Sequence, residues 1–207
     1  MAIGPTLSLW IFTHYDNYNI LFTVPLVTAL IGLVINATVN CKYRPPVLDK
    51  KKMSLDRFIM LEGWSQGLCI ALIAVAYGIL STYIAIYSQD VLNITAGTGT
   101  FFMLFAVGLI MSRFFGVRYL SKGFIVRNAT YGVVCVAIGY SLFAFWQNLY
   151  GYYMSAVVIG FGQGSMYPAV QTMFLNMASN DKRGTANATI LTSWDLGVGI
   201  GIIGGGY

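Results

Sequence analysis

Long uncharged apolar runs recur along the chain, separated by short polar connections: a partial run at about 1–13, then runs at about 19–40, 58–88, 96–116, 128–146, 150–177 and 185–207. After the first, each approaches or exceeds the roughly 20 residues that a helix needs to cross the hydrocarbon of a bilayer. Short connections between such helices make neighbours antiparallel, so the pattern predicts an all-α polytopic transmembrane helical bundle. Trp10, Tyr15, Tyr18, Tyr87, Trp146, Tyr150 and Tyr152 fall near run ends on one side, where interfacial aromatic rings belong.

The basic residues follow the same alternation. Lys42, Arg44, Lys50, Lys51, Lys52 and Arg57 lie in the second connection, Arg113, Arg118, Lys122 and Arg127 around the fourth, and Lys182 and Arg183 in the sixth, which accounts for all 12. The alternate connections, THYDNY, YSQDVLNIT and WQNLYG, hold no Lys or Arg. Because basic loops stay inside, 41–57, 113–127 and 179–184 are expected in the cytoplasm of a multi-pass membrane protein, with a bacterial inner membrane as the expected location. Residues 41–57 form the longest connection, and Pro45-Pro46 forbids helix continuity through it. It reads as a linker between an N-terminal helical half ending at 40 and a second half over 58–207. Its lysines could also attract anionic lipid headgroups.

Composition agrees. The chain is 57% apolar and only 9% charged, whereas a soluble domain carries about 25% charged residues. A net charge of +5 raises the question of nucleic acid, but the cations sit between apolar runs and form no aromatic-interleaved patch, so no nucleic-acid partner is expected. Cys41, Cys69 and Cys135 lack C-x-x-C spacing and read as small buried hydrophobes. His14 is the only histidine, which removes His-based metal sites, and no cofactor is expected. No basic n-region precedes Lys42, so a secretory signal is not predicted. Both ends are abrupt, and the chain is expected to be a fragment of a longer protein. Of the sequons, those at Asn36, Asn128 and Asn187 fall in membrane or on the basic side, and that at Asn93 lies close against the bilayer. Gly199-Ile200-Gly201-Ile202-Ile203-Gly204 matches G-x-G-x-x-G, but no strand precedes it, so it is not read as a nucleotide cradle.

Three short motifs, in this order and on these sides, give the chain its family likeness. Gly4-Pro5 resembles the G-P of a fifth-helix G-P-x-x-G-G motif, with Ser8 and Leu9 where the last glycines belong. Gly116 and Gly123, with Arg118, Lys122 and Arg127, resemble a cytoplasmic G-x-x-x-D-R-x-G-R-R loop, with Leu120 in place of the acid. RGTANATILTSWDLGVGIGIIGGG resembles an R-G-x-A turn leading into a glycine-rich eleventh helix. Together they are similar to the major facilitator superfamily, from the end of helix five into helix eleven. The resemblance implies a major facilitator-like fold, mainly its C-terminal six-helix half and incomplete at both ends. It also implies a secondary active transporter of small molecules, monomeric as the full-length protein. Proton-coupled efflux of a drug-like compound or metabolite is one reading, and uptake by a sugar or metabolite permease is another. A channel or packing subunit is the alternative if the chain is complete. No ATP-binding P-loop is present, and no constellation of an intramembrane enzyme stands out.

Transporter sites lie near the bilayer midplane and are lined by polar groups on apolar helices. Gln163, Tyr167 and Gln171 recur at i, i+4 and i+8, which puts two amides and a phenol on one helix face as candidate substrate contacts; hydrogen bonding between helices is the alternative. Pro168 marks a bending point. Gln66 and Tyr77 share a face and are expected to lie deeper than Glu62, which reads as an entrance charge, with proton coupling as the alternative. Trp194 is a candidate for stacking on a planar substrate. Asp195 is the prime proton-coupling candidate: a mid-span aspartate costs about 2.5–3.5 kcal/mol on insertion scales, and an acid shielded from water favours its protonated form. A hydrogen-bonded aspartate pinning two helices is the other reading. Gly197, Gly201 and Gly205, spaced by four, predict a smooth face for helix packing or sliding.

Overall fold

The computed structural model describes residues 11, 14–15, 17–39, 59–94, 97–121, 123–179 and 182–206, and among them every regular element is helical. Six α-helices follow in order: α1 Tyr18–Thr38, α2 Trp64–Asp90, α3 Gly97–Ser121, α4 Ile125–Phe145, α5 Leu149–Met177 and α6 Arg183–Gly204, with a 3₁₀ turn at Leu61–Gly63 leading into α2. Gly4, Pro5, Lys122 and the 41–57 connection lie outside the described residues, as do the side chains of Arg118 and Leu120. Among the described residues five helical stretches are long and apolar enough to cross a membrane, at 19–38, 61–90, 97–116, 125–145 and 183–204. Most helix ends lie within a few residues of the apolar-run ends. At α4 the helix starts at Ile125 rather than 128, because Arg127 and Asn128 continue it in spite of their polarity.

Local chemistry sets the ends. The Asn17 side chain accepts from the Asn19 amide at 2.9 Å to open α1, and Asn148 accepts from Gly151 at 2.8 Å to open α5, each relieving an orphan backbone donor. The turn between α3 and α4 uses Gly123 at φ +80°, a left-handed backbone that suits glycine. Within α1, Thr23, Thr28 and Thr38 return their hydroxyls to helix carbonyls, so polar atoms in an apolar helix stay satisfied. Phe22, Leu26, Leu30 and Leu33 of α1 are exposed, as lipid-facing side chains are.

Helices pack closely where they carry no side chain. A β-carbon at Gly197 would collide with the Ala71 carbonyl, one at Gly201 with that of Val75, and one at Gly78 with Val198, so α2 and α6 meet backbone to backbone. The Met60 amide donates to the Thr189 hydroxyl at 2.9 Å beside one end of this pair, and the Tyr83 hydroxyl donates to the Ile202 carbonyl at 3.1 Å near the other. On the other side of the bundle, α5 uses Gly160 and Gly164 against Phe105 and Leu109 of α3, and Gly162 against Gly132 and Val136 of α4. α5 is therefore clasped between α3 and α4, and α2 pairs with α6. Contacts between these two groups are much sparser.

Two apolar clusters fill the interior, one including Leu80, Ile84, Phe101, Phe105, Tyr152 and Ile159, the other Met60, Ile70, Met166, Val170, Phe174 and Ile190. Gly197→Leu or Gly201→Leu should destabilise the protein by about 1–3 kcal/mol or more, as overpacking does. Gly199, which has nothing near its β position, should accept alanine without loss. Thermal unfolding of the three variants in detergent micelles checks this, and equal losses in all of them would contradict the packing.

Candidate functional site

The two apolar clusters leave a layer between them. On α5 the first reaches Ile159 and the second begins near Met166, with Gln163 in the interval. Gln163 is also the central residue of α5, Tyr77 the central residue of α2, and Trp194 lies at the centre of α6. If each helix spans the bilayer, all three sit near its midplane.

The aromatic members touch across the seam between the helix groups. Tyr77 and Trp194 rings lie 5.5 Å apart between α2 and α6, and Trp194 meets Tyr167 of α5 edge-on at 5.6 Å. Tyr77 also leans on Phe105 of α3, with ring centroids 6.1 Å apart. Edge-to-face and tilted pairs at these distances are mutually attractive, by about 0.5–1.5 kcal/mol each beyond their buried area. The rings therefore join the two groups at mid-height, between two apolar clusters that each also bridge them. Gln163 is 6% exposed, and its Nε2 has no hydrogen-bond partner among the described residues. A buried amide donor without an acceptor costs about 1–3 kcal/mol, so this nitrogen is poised to donate.

The structure thus brings Tyr77, Gln163, Tyr167 and Trp194 to one level. It does not bring Gln66 there. Gln66 lies beyond Glu62, as expected, but is only the third residue of α2, where it accepts from the Ser65 hydroxyl at 2.9 Å. Eleven residues separate it from Tyr77, about 16 Å along a helix. Glu62 is exposed in that turn. Gln171 lies two turns from Gln163, and its Nε2 donates to Asn187 Oδ1 of α6 at 3.3 Å, a tie between helices. Pro168 sits inside α5, which continues on both sides of it, and the Thr172 hydroxyl returns to the Pro168 carbonyl at 2.7 Å. Asp195 adjoins Trp194 but is exposed. Gly197 and Gly201 are spent on α2, and Gly205 meets the Tyr83 ring. In the loop-motif region Gly116 is buried beside the Asn128 amide, Gly123 forms the turn, and Arg127 is exposed.

Asn128 was legible only as a sequon. It is 4% exposed, and its Nδ2 donates to the Ser165 carbonyl at 3.0 Å, three residues before Pro168. That bond ties α4 to the stretch of α5 where proline removes a backbone donor. Its signal in the sequence is a polar residue at the very start of an apolar run, which the structure places one turn into α4. Among the described residues no group of His, Cys, Asp or Glu could hold a metal ion.

The Major Facilitator Superfamily model matches residues 1–202. The chain is 23% identical over 210 residues to the "Uncharacterized MFS-type transporter YhhS" of Escherichia coli K12, and equally to that of Shigella flexneri. Each alignment covers 97% of this chain and 48% of the relative, so the chain spans about half the length of the curated relatives it matches. No solved structure matches significantly.

Asn128→Ala should lower stability by about 1–2 kcal/mol through the lost amide bond and the cavity. Trp194→Ala should loosen the seam between α2–α6 and α3–α5 without unpairing α2 from α6. Hydrogen exchange localised to α5 in the first variant, and to the middle of α2 and α5 in the second, is the expected signature.

Proposed function

The chain belongs to the Major Facilitator Superfamily, and from that premise we propose that it forms part of a secondary active transporter that moves a small molecule by alternating access. In this reading 58–207 contributes to one helical half, 1–40 to the end of the other, and 41–57 runs between them on the cytoplasmic face. The basic loops face the cytoplasm of a bacterial cell, in keeping with the enteric source of the similar proteins and with the positive-inside rule.

The observation that carries the reading is the mid-height layer of Tyr77, Gln163, Tyr167 and Trp194. Three aromatic rings offer faces and edges to a planar solute, and one unpaired amide offers a directional donor. That combination of a mostly apolar lining with few polar groups is what a small-molecule site needs. It favours an aromatic, drug-like solute, and the reading takes efflux as its direction. Gln66 and Gln171 stand toward the same helix ends and serve the approach to the site, with Glu62 at its mouth. Asp195 supplies the proton-coupling carboxyl, Pro168 the bending point, and the Gly197–Gly201 face the surface along which α6 shifts.

The complete protein in proteoliposomes, with a fluorescent aromatic dye as probe and an imposed pH gradient, provides the test. Dye flux should depend on the gradient and fall about tenfold, or about 1.4 kcal/mol, in Gln163→Ala and in Trp194→Leu. Asp195→Asn should retain dye binding and lose the pH dependence. Flux indifferent both to collapse of the gradient and to Asp195→Asn would remove Asp195 from coupling, and flux unchanged in the two layer variants would remove the layer from substrate contact.

A further inference from the structure

A second feature lies far from the mid-height layer, at the end of the bundle that carries the basic connections. There the start of α4 and the end of α5 enclose an open groove of about 580 Å3. Phe124, Val126, Met173 and Met177 give it apolar walls, and Arg127 and Asn176 supply its polar groups. Arg127 is the third residue of α4 and Asn176 the penultimate residue of α5, so in helices that span the bilayer both stand at headgroup depth. The Arg127 Nε donates to the Tyr131 hydroxyl at 3.0 Å, and the guanidinium lies 5.5 Å over the Tyr131 ring centroid. One turn of α4 thereby holds the planar fork in place, which lowers the entropy it loses when it engages a partner. Among the described residues no acidic side chain lines the groove.

We propose that this groove binds the headgroup of an anionic phospholipid, with the phosphate on Arg127 and Asn176 and the upper acyl chain along Phe124, Val126, Met173 and Met177. Charge and shape both point there. A guanidinium fork matches two phosphate oxygens, and basic pockets between membrane helices on the cytoplasmic side suit anionic headgroups. A soluble anion would use the arginine but leave the apolar walls idle, whereas a lipid uses both. The lipid would also bridge α4 and α5 at their ends, beside the Asn128–Ser165 bond that joins the same two helices deeper in the bundle. The assignment does not depend on which solute is carried.

The complete protein in nanodiscs of equal phosphatidylglycerol and phosphatidylcholine is the system of choice, with retained lipids counted by native mass spectrometry. The native protein should retain phosphatidylglycerol preferentially, and Arg127→Gln should lower that preference about fivefold, equivalent to the roughly 1 kcal/mol of one basic side chain at an anionic surface. Arg127→Lys, which keeps the charge but loses the fork, should keep only part of it. Tyr131→Phe, which keeps the charge but removes its anchoring hydroxyl, should lower it with no change in thermal unfolding. The proposal is overturned if Arg127→Gln and the native protein retain the two lipids in the same ratio. Millimolar inorganic phosphate abolishing the preference would overturn it equally, since the groove would then hold a soluble anion.

Discussion

Backbone-to-backbone contact through glycine is the constraint on which the rest of this bundle depends. In hydrocarbon, apolar side chains gain nothing by leaving lipid for protein, so helices associate through dispersion contact and interhelical hydrogen bonds. Dispersion falls off within an ångström, and only a helix without β-carbons at the crossing can approach closely enough. Gly78, Gly197 and Gly201 meet that condition for α2 and α6, and Gly132, Gly160, Gly162 and Gly164 for α5 and its neighbours. α5 has glycine contacts on two flanks, which explains why a 29-residue helix with two glutamines, a proline, two serines and four tyrosines can stand in a membrane bundle. Its neighbours, rather than its own hydropathy, shield it.

The same constraint determines where polar and aromatic chemistry is left over. Glycine contacts consume the α2–α6 and the α3–α5 and α4–α5 faces, and the large side chains that remain at mid-height meet across the seam between the two groups. Tyr77, Trp194 and Tyr167 fill that seam with ring contacts, which tolerate changes of angle and offset better than a glycine crossing does. Gln163 adds a donor with no acceptor beside it. A fold that locks its helices in pairs and joins the pairs through rings concentrates its adaptable surface at one depth.

Among the described residues the sequence foretold the order and approximate extent of the helices, because apolar run length is a property of one chain read in one dimension. It also placed Gln163 and Tyr167 on one helix face, which follows from helical spacing. It did not foretell that Tyr77 and Trp194 meet Tyr167, because that requires the pairing of three helices. Nor did it separate Gly197 and Gly201, which face α2, from Gly199, which faces open space, although all three stand in one glycine-rich run. The run also left open how far Gln66 stands from Tyr77's contacts, because an apolar run includes residues outside the regular helix, which begins only at Trp64. Asn128 shows the opposite limit. A polar residue on an apolar run reads as an interruption until its partner, the Ser165 carbonyl, is known.

Asp195 gives the arrangement on α6 its consequence. Within five residues this helix presents Trp194 to the seam and Gly197 to α2, while Asp195 between them is exposed. A carboxylate at mid-span cannot rest against lipid without a cost of about 2.5–3.5 kcal/mol, so an ionised Asp195 needs water or a facing cation beside it. A helix is stiff over five residues, and a shift or roll of α6 along its glycine face would therefore carry Trp194 and Asp195 together. Because ring and carboxyl share one turn, any such movement displaces both at once.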